Sequence, residues 1–239
     1  MLDYVLNGES MLPINFNSIQ NNLSPPSGRN NFSAQLCPDQ NVAQIKFDHT
    51  TNLWTWKQCY ITFNQSSRID IDYSQNNIDR NCILIILESP HFDEYDTITH
   101  QAKGPAYGTT GKWFEKNFLN ILNNSNVVLD KNLIYDIIFI NSVQYQASQG
   151  MKPLKLLIKD KNWLSFWHKG FNADLCKRIR TFNRNTIIIN ACTYGGKKLH
   201  DRVHSVLYCA YQKHIGNTNN LYQSYHPSTW WREERRKIW

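Results

Sequence analysis

The run Cys82-Ile83-Leu84-Ile85-Ile86-Leu87-Glu88-Ser89-Pro90-His91-Phe92-Asp93-Glu94-Tyr95 decides how the rest of this chain is read. Its first half is short, uninterrupted and rich in β-branched residues. That pattern predicts a strand buried on both faces, as in a parallel sheet. Its second half turns at Ser89-Pro90 and is acidic, with Glu88, Asp93, Glu94 and Asp96 close together. Ligands of open α/β sheets sit in the crevice at the carboxyl ends of the strands. An acidic turn at that place is therefore where chemistry is expected. The competing reading is a solvated loop whose carboxylates only keep it wet.

Working outward, similar apolar runs recur downstream. Residues 133–140 form one and end at Asn141, and residues 186–192 form another, followed by Tyr194-Gly195-Gly196. A short fourth run, 220–224, leads into Tyr225-His226-Pro227-Ser228-Thr229-Trp230-Trp231-Arg232. Helical spacing of Trp113, Phe114, Phe118, Leu119 and Leu122 predicts a helix after the small-residue loop 103–111, and further helices are expected near 171–182 and 197–213. Strands alternating with helices predict an α/β three-layer sandwich around a central, mainly parallel four-stranded sheet. Upstream, residues 45–73 alternate apolar and polar and predict an antiparallel accessory region. Residues 1–41 are rich in Asn, Ser, Gln and Pro and read as an arm. The expected organisation is thus 1–80 for arm and accessory strands and 81–239 for the α/β domain, packed as one compact unit.

The 239 residues suffice for a substantial core, and a formal charge of +7 points toward a polyanionic partner such as nucleic acid. The many aromatic side chains serve either core packing or base stacking. No Cys-x-x-Cys pair occurs among the six cysteines, which argues against a zinc site or cluster built from local pairs. The start Met-Leu-Asp-Tyr-Val-Leu lacks the basic and apolar segments of a signal peptide, and no run approaches the roughly 20 apolar residues that span a bilayer. A cytoplasmic monomer with reduced cysteines, no membrane association, no metal and no other cofactor is expected.

Together, the strand ends place Glu88 and Ser89, Asn141, and His226 along one edge of one sheet. A carboxylate, an amide and an imidazole converging there suit a hydrolytic site that recognises a polar ring and stabilises charge. Taken alone, Asn141 reads as a turn former, and Trp230 and Trp231 read equally well as packing for the C-terminus. His200 and His204 stand four apart, but no third metal ligand accompanies them.

In this order, the motifs resemble the uracil-DNA glycosylase superfamily. Leu87-Glu88-Ser89-Pro90 with Asp93-Glu94, then Gly104-Pro105-Ala106-Tyr107-Gly108-Thr109-Thr110-Gly111, is similar to the branch that reads Gly-Glu-Ala-Pro-Gly-x-Asp-Glu and Gly-x-Pro-Phe-Val-Gly-x-Ala-Gly. Asn141 looks like the base-reading Asn, and His226-Pro227-Ser228 matches the closing motif. The likeness covers residues from about 82 to the C-terminus. It implies hydrolysis of an N-glycosidic bond in DNA, with the base flipped out of the stack and an abasic site left behind. It also implies roles. Glu88, Ser89, Asp93 and His226 would be catalytic. Asn141, Ala106, Tyr107 and His91 would face the base. Ser228, Trp230, Trp231, Arg232 and Arg235 would hold DNA, with Trp230 as the wedge that fills the vacated stack.

The departures from the pattern matter. Leu87 replaces the first Gly, and Ser89 stands where the best-known branch has its catalytic Asp, so Glu88 or Asp93 must supply the charge. Ala106 replaces the Phe that stacks on uracil, which implies a larger pocket and a bulkier substrate, such as a modified phage pyrimidine excised in defence. The cluster cysteines of the similar branch are missing, since no cysteine lies between Cys82 and Cys176. The rival readings are a conventional uracil-repair enzyme, a non-catalytic DNA-binding member, and a hydrolase of free nucleosides or nucleotides.

Overall fold

The computed structural model describes residues 35–74, 78–147, 156–195, 198–215 and 219–239. Residues 1–34 of the expected arm (1–41) and Gly196 lie outside them, while the arm's last two residues, Gln40 and Asn41, open β1. Strands β1 (Gln40–Asp48), β2 (Leu53–Cys59) and the short β3 (Ile69–Asp70) come first, then β4 (Cys82–Leu87). Helix α1 (Thr109–Asn123) precedes β5 (Tyr135–Asn141). Helix α2 (Leu156–Phe166) runs through a π turn at Trp167–Phe171 into α3 (Asn172–Arg180). Strand β6 (Ile187–Asn190), helix α4 (Leu199–Ile215) and strand β7 (Leu221–Gln223) complete the order.

Among the described residues all the strands join one mixed sheet of seven, ordered β2-β1-β5-β4-β6-β7, with β3 also paired to β1. The segment from β5 through β4 and β6 to β7 is parallel. The expectation of a four-stranded central sheet is therefore corrected, because the upstream strands are no accessory region. Strand β1 runs antiparallel along β5, from Gln40 opposite Phe139 to Ile45 opposite Tyr135. The free edge of β5 would otherwise expose a row of unpaired N–H and C=O groups, and β1 covers it. Two irregularities in the β1 pairing, at Asn41/Ala43 and at Gln44/Ile45, bend the added strand.

Alternation along the central strands fixes the layers. Ile83, Ile85 and Leu87 of β4, with Ile137 and Phe139 of β5, pack into the cluster that contains Phe114, Phe118, Ile121 and Leu122 of α1. Leu84, Ile86, Ile138, Ile140 and Ile188 point the other way and are equally buried, so both faces of the sheet are covered. This explains why these runs are continuously apolar rather than alternating. Helix α2 was not anticipated from the sequence. Its Trp163 is fully buried and its indole N–H donates to the Glu88 carbonyl at 3.1 Å, anchoring the turn after β4. No helix among the described residues is long and apolar enough to cross a membrane.

Candidate active site

Parallel pairing brings the sequence-predicted strand ends together. Leu87 stands opposite Asn141, and Ile86 opposite Asn190, so the turns after β4, β5 and β6 emerge on one edge. A cavity of about 260 Å³ opens there, bordered by Glu88, Ser89, His91, Asp93, Glu94, Asn141, Thr193, His226 and Ser228, with residues 108–110 from the start of α1. These positions come from five separate stretches of the chain and share this space because β5, β4, β6 and β7 run parallel in register.

Asn141 is fully buried, and its backbone is clamped from behind. Its N–H donates to Asp39 Oδ1 at 3.1 Å, and its carbonyl accepts from Arg178 Nη2 at 3.1 Å. Arg178 in turn pairs with Asp39 at 2.7 Å and with Asp174 at 2.8 Å. Burial opposes the Arg178 charge, but the two carboxylates more than offset it and hold its pKa above the usual value. Of the amide side chain, Nδ2 faces Cys37 Sγ at 3.8 Å and also donates to Glu94, while Oδ1 is buried with no partner among the described residues.

Glu88 is buried and accepts a short hydrogen bond from the Thr193 hydroxyl. Its main chain is fixed as well, since the carbonyl accepts from Ser142 Oγ at 2.6 Å and from the Val143 amide at 3.1 Å. Ser89 Oγ is buried without a hydrogen-bond partner among the described residues. No base among the described residues is hydrogen-bonded to its hydroxyl to activate it, which leaves the carboxylates as the acid–base groups of this wall.

Asp93 and His91 are more open, with His91 Nδ1 lying 3.3 Å from Asp93 Oδ2. Asp93 rests against the first turn of α1, where helix N–H groups favour a carboxylate. Gly108 makes that approach possible, because a Cβ there would sit 2.9 Å from Asp93 Oδ2. Gly111 is required for a similar reason, as its Cβ would meet the Ala106 carbonyl at 2.2 Å. On the far wall, His226 Nδ1 lies 2.8 Å from Ser228 Oγ and accepts from the Ser228 amide at 3.3 Å. An acceptor role for Nδ1 places the proton of the neutral ring on Nε2.

Several residues expected at the site sit elsewhere. Ala106 is buried in the core cluster with α1 and does not border the cavity, so its small side chain is not what sets pocket size. It adopts a left-handed backbone (φ 54°), which turns its amide toward Glu94. Tyr107 lies outside the cavity too, under the Arg68 guanidinium at 4.9 Å. Trp230 is no free wedge: it is 1% exposed, stacks on Phe114 at 5.6 Å and donates to the Tyr225 carbonyl at 3.0 Å. Its apolar bulk closes the α1 side of the core. Trp231 is the exposed member, at 52%, with Arg232 over its ring at 4.4 Å. Arg235 lies over Tyr225 at 5.2 Å.

Other groups were missed. Glu94, Thr193, Thr109 and Thr110 all border the cavity. Glu94 belonged to the quoted Asp-Glu pair, and Thr193 is the first hydroxyl after the β6 run, so position after a buried strand was the available signal. Burial pushes the Glu94 carboxyl up to about 8, against the pull of the Ala106 amide, the Asn141 side chain and Arg68. Among the described residues no group of three or more His, Cys, Asp or Glu is placed to hold a metal ion, and none of the six cysteines forms a disulfide. No protein-family model, curated protein or solved structure matches this chain.

Proposed function

We propose that this chain is a DNA glycosylase that takes a modified or damaged pyrimidine out of the stack and hydrolyses its N-glycosidic bond, leaving an abasic site. The observation that carries the reading is the shared cavity. Carboxylates at 88 and 93, the buried amide of Asn141 and the imidazole of His226 border one space at the carboxyl edge of the sheet. The likeness of the motifs that hold these residues to the uracil-DNA glycosylase superfamily supports the same reading, as does the layered α/β architecture such an enzyme uses.

The chemistry follows from the roles those groups can fill. Cleaving the bond builds positive charge on the sugar and negative charge on the departing base. Glu88, steadied by Thr193, and Asp93, at the more open end, can orient water and stabilise the sugar. His226, with its proton on Nε2, can donate to the base oxygen as charge develops there. Asn141 reads the base edge. Trp231 takes over the stacking role first assigned to Trp230, and Arg232 and Arg235 contact phosphates. The same chemistry serves repair of uracil or defence against a bulky phage pyrimidine.

Base release should be measured by alkaline cleavage of abasic sites on duplex and single-stranded DNA carrying uracil, 5-hydroxymethylcytosine or its glucosylated form. Release from at least one of them is expected, and Glu88→Gln, Asp93→Asn and His226→Ala should each lower it by about a hundredfold or more. Unchanged activity in all three variants would sink the enzyme reading. Rapid release of uracil alone would remove the bulky-base version.

A further inference from the structure

The innermost part of the cavity holds a pair of polar groups that the catalytic assignment leaves unused. Glu94 is 5% exposed and borders the cavity beside Asn141. Its Oε2 and the Asn141 Oδ1 are both buried with no hydrogen-bond partner among the described residues. A buried polar atom left in this state costs free energy unless something fills its valence. The Asn141 amide nitrogen already has two protein partners, Cys37 Sγ and the Glu94 carboxyl. The amide therefore has only an acceptor to offer a ligand, and any donor on this wall has to come from its neighbour.

We propose that Glu94 works as a neutral carboxylic acid beside Asn141, the O–H of Glu94 donating to a nucleobase edge whose adjacent N–H donates to Asn141 Oδ1. This rests on the base-pocket reading above and names the edge that the pocket takes: one N–H next to one acceptor. Uracil presents it as N3–H beside a carbonyl, and cytosine as its exocyclic amine beside N3. Substituents at C5 of either ring leave that edge intact, so the pair is compatible with modified pyrimidines. It rejects a ring methylated at N3.

The surroundings keep the acid protonated. Burial opposes a charge on Glu94, and the thiol of Cys37 and the phenol of Tyr95, both pushed up by burial and by Glu94 itself, stay neutral beside it. Arg68 is the cation that acts on it, with Glu88, Asp93, His91 and His226 as the other titratable groups of the cavity. The Arg68 guanidinium is committed to the carbonyls of Ile61 and Pro105 at 2.6 and 2.8 Å, which limits its hold on Glu94. The donor is thus present at neutral pH and disappears when Glu94 ionises, above about 8.

Single-turnover base release between pH 6.5 and 10 tests this in the wild type, Glu94→Gln and Glu94→Ala. The wild-type rate should fall about tenfold per pH unit above the Glu94 transition. Glu94→Gln keeps a neutral donor and should stay within about tenfold of wild type with that alkaline fall removed, whereas Glu94→Ala should lose about a hundredfold. Equal loss in Gln and Ala variants, or an alkaline limb shared by wild type and Glu94→Gln, overturns the proposal. Should the wild type release no base from any DNA tested, the glycosylase reading fails by itself. The pair is then probed by ligand-observed NMR with free uracil, cytosine and 3-methyluracil at pH 7 and 9.5. Binding of the first two alone, lost in Glu94→Ala and at pH 9.5, supports the pair, and any other pattern refutes it.

Discussion

At the inner end of the cavity, Asn141 and Glu94 are 0% and 5% exposed, and the Asn141 backbone is held by an ion pair buried behind β5; at its mouth, the His91 and Asp93 side chains are 36% and 42% exposed. The inner end is dry, so each polar atom there is either satisfied by a fixed neighbour or waiting for a ligand. The mouth is wet, and its groups can move and be solvated at little cost. Recognition of a base edge suits the first environment, where a missing hydrogen bond is expensive. Alignment of water suits the second. The same contrast recurs in two adjacent residues, with Trp230 in the core and Trp231 in solvent.

The most severe way to break this arrangement is to remove the clamp behind Asn141. Arg178→Met leaves Asp39 buried without its 2.7 Å partner and should cost about 3–5 kcal/mol in denaturant unfolding. Base release should vanish along with it, because Asp39 and Arg178 hold the Asn141 backbone. The paired tryptophans give a comparison of similar size. Trp230→Ala should cost about 3–5 kcal/mol of stability. Trp231→Ala should change stability by less than about 0.5 kcal/mol and weaken DNA binding by about 1–3 kcal/mol, read by fluorescence anisotropy. Equal stability losses would show that the exposed ring also packs.

The pH dependence of stability separates the groups further, because its sign differs between them. Glu94 is raised to about 8 from an ordinary 4.5, so between those values the folded chain holds a proton that the unfolded chain releases. Its contribution is therefore lost as pH rises through that window. His200 and His204 are lowered, by burial first, so the unfolded chain takes up their protons more readily and stability falls as pH drops below about 6.5. The two histidines should accordingly lower the melting temperature as pH falls below about 6.5, while Glu94 lowers it as pH rises toward about 8. Glu94→Gln should melt higher than wild type at pH 9 and equal to it at pH 4, and a higher melting point at pH 4 would contradict the assignment.

Much of the sheet was legible because its central strands are buried on both faces, which writes an unbroken apolar run such as 82–87. The turn that follows was legible for the same reason, since a polar cluster directly after a buried strand has few structural uses. Strand β1 was visible as a strand but not as a neighbour of β5, because alternation carries no information about the partner. Helix α2 was missed because it lacks a clear apolar stripe. Trp230 and Trp231 have nearly the same local sequence, and no rule of composition tells which one turns inward.

What the sequence by itself determined is the set of buried runs and the polar residues at their ends: Glu88, Asn141 and His226 were all found this way, and local chemistry suffices to find them. What only the tertiary structure decided is which of those ends meet and how dry each becomes. Parallel register sets Leu87 against Asn141, and packing buries Glu94 while leaving Asp93 open one residue away. Burial is a property of neighbours far away in the chain, so the protonation of adjacent carboxyls cannot be read from their spacing.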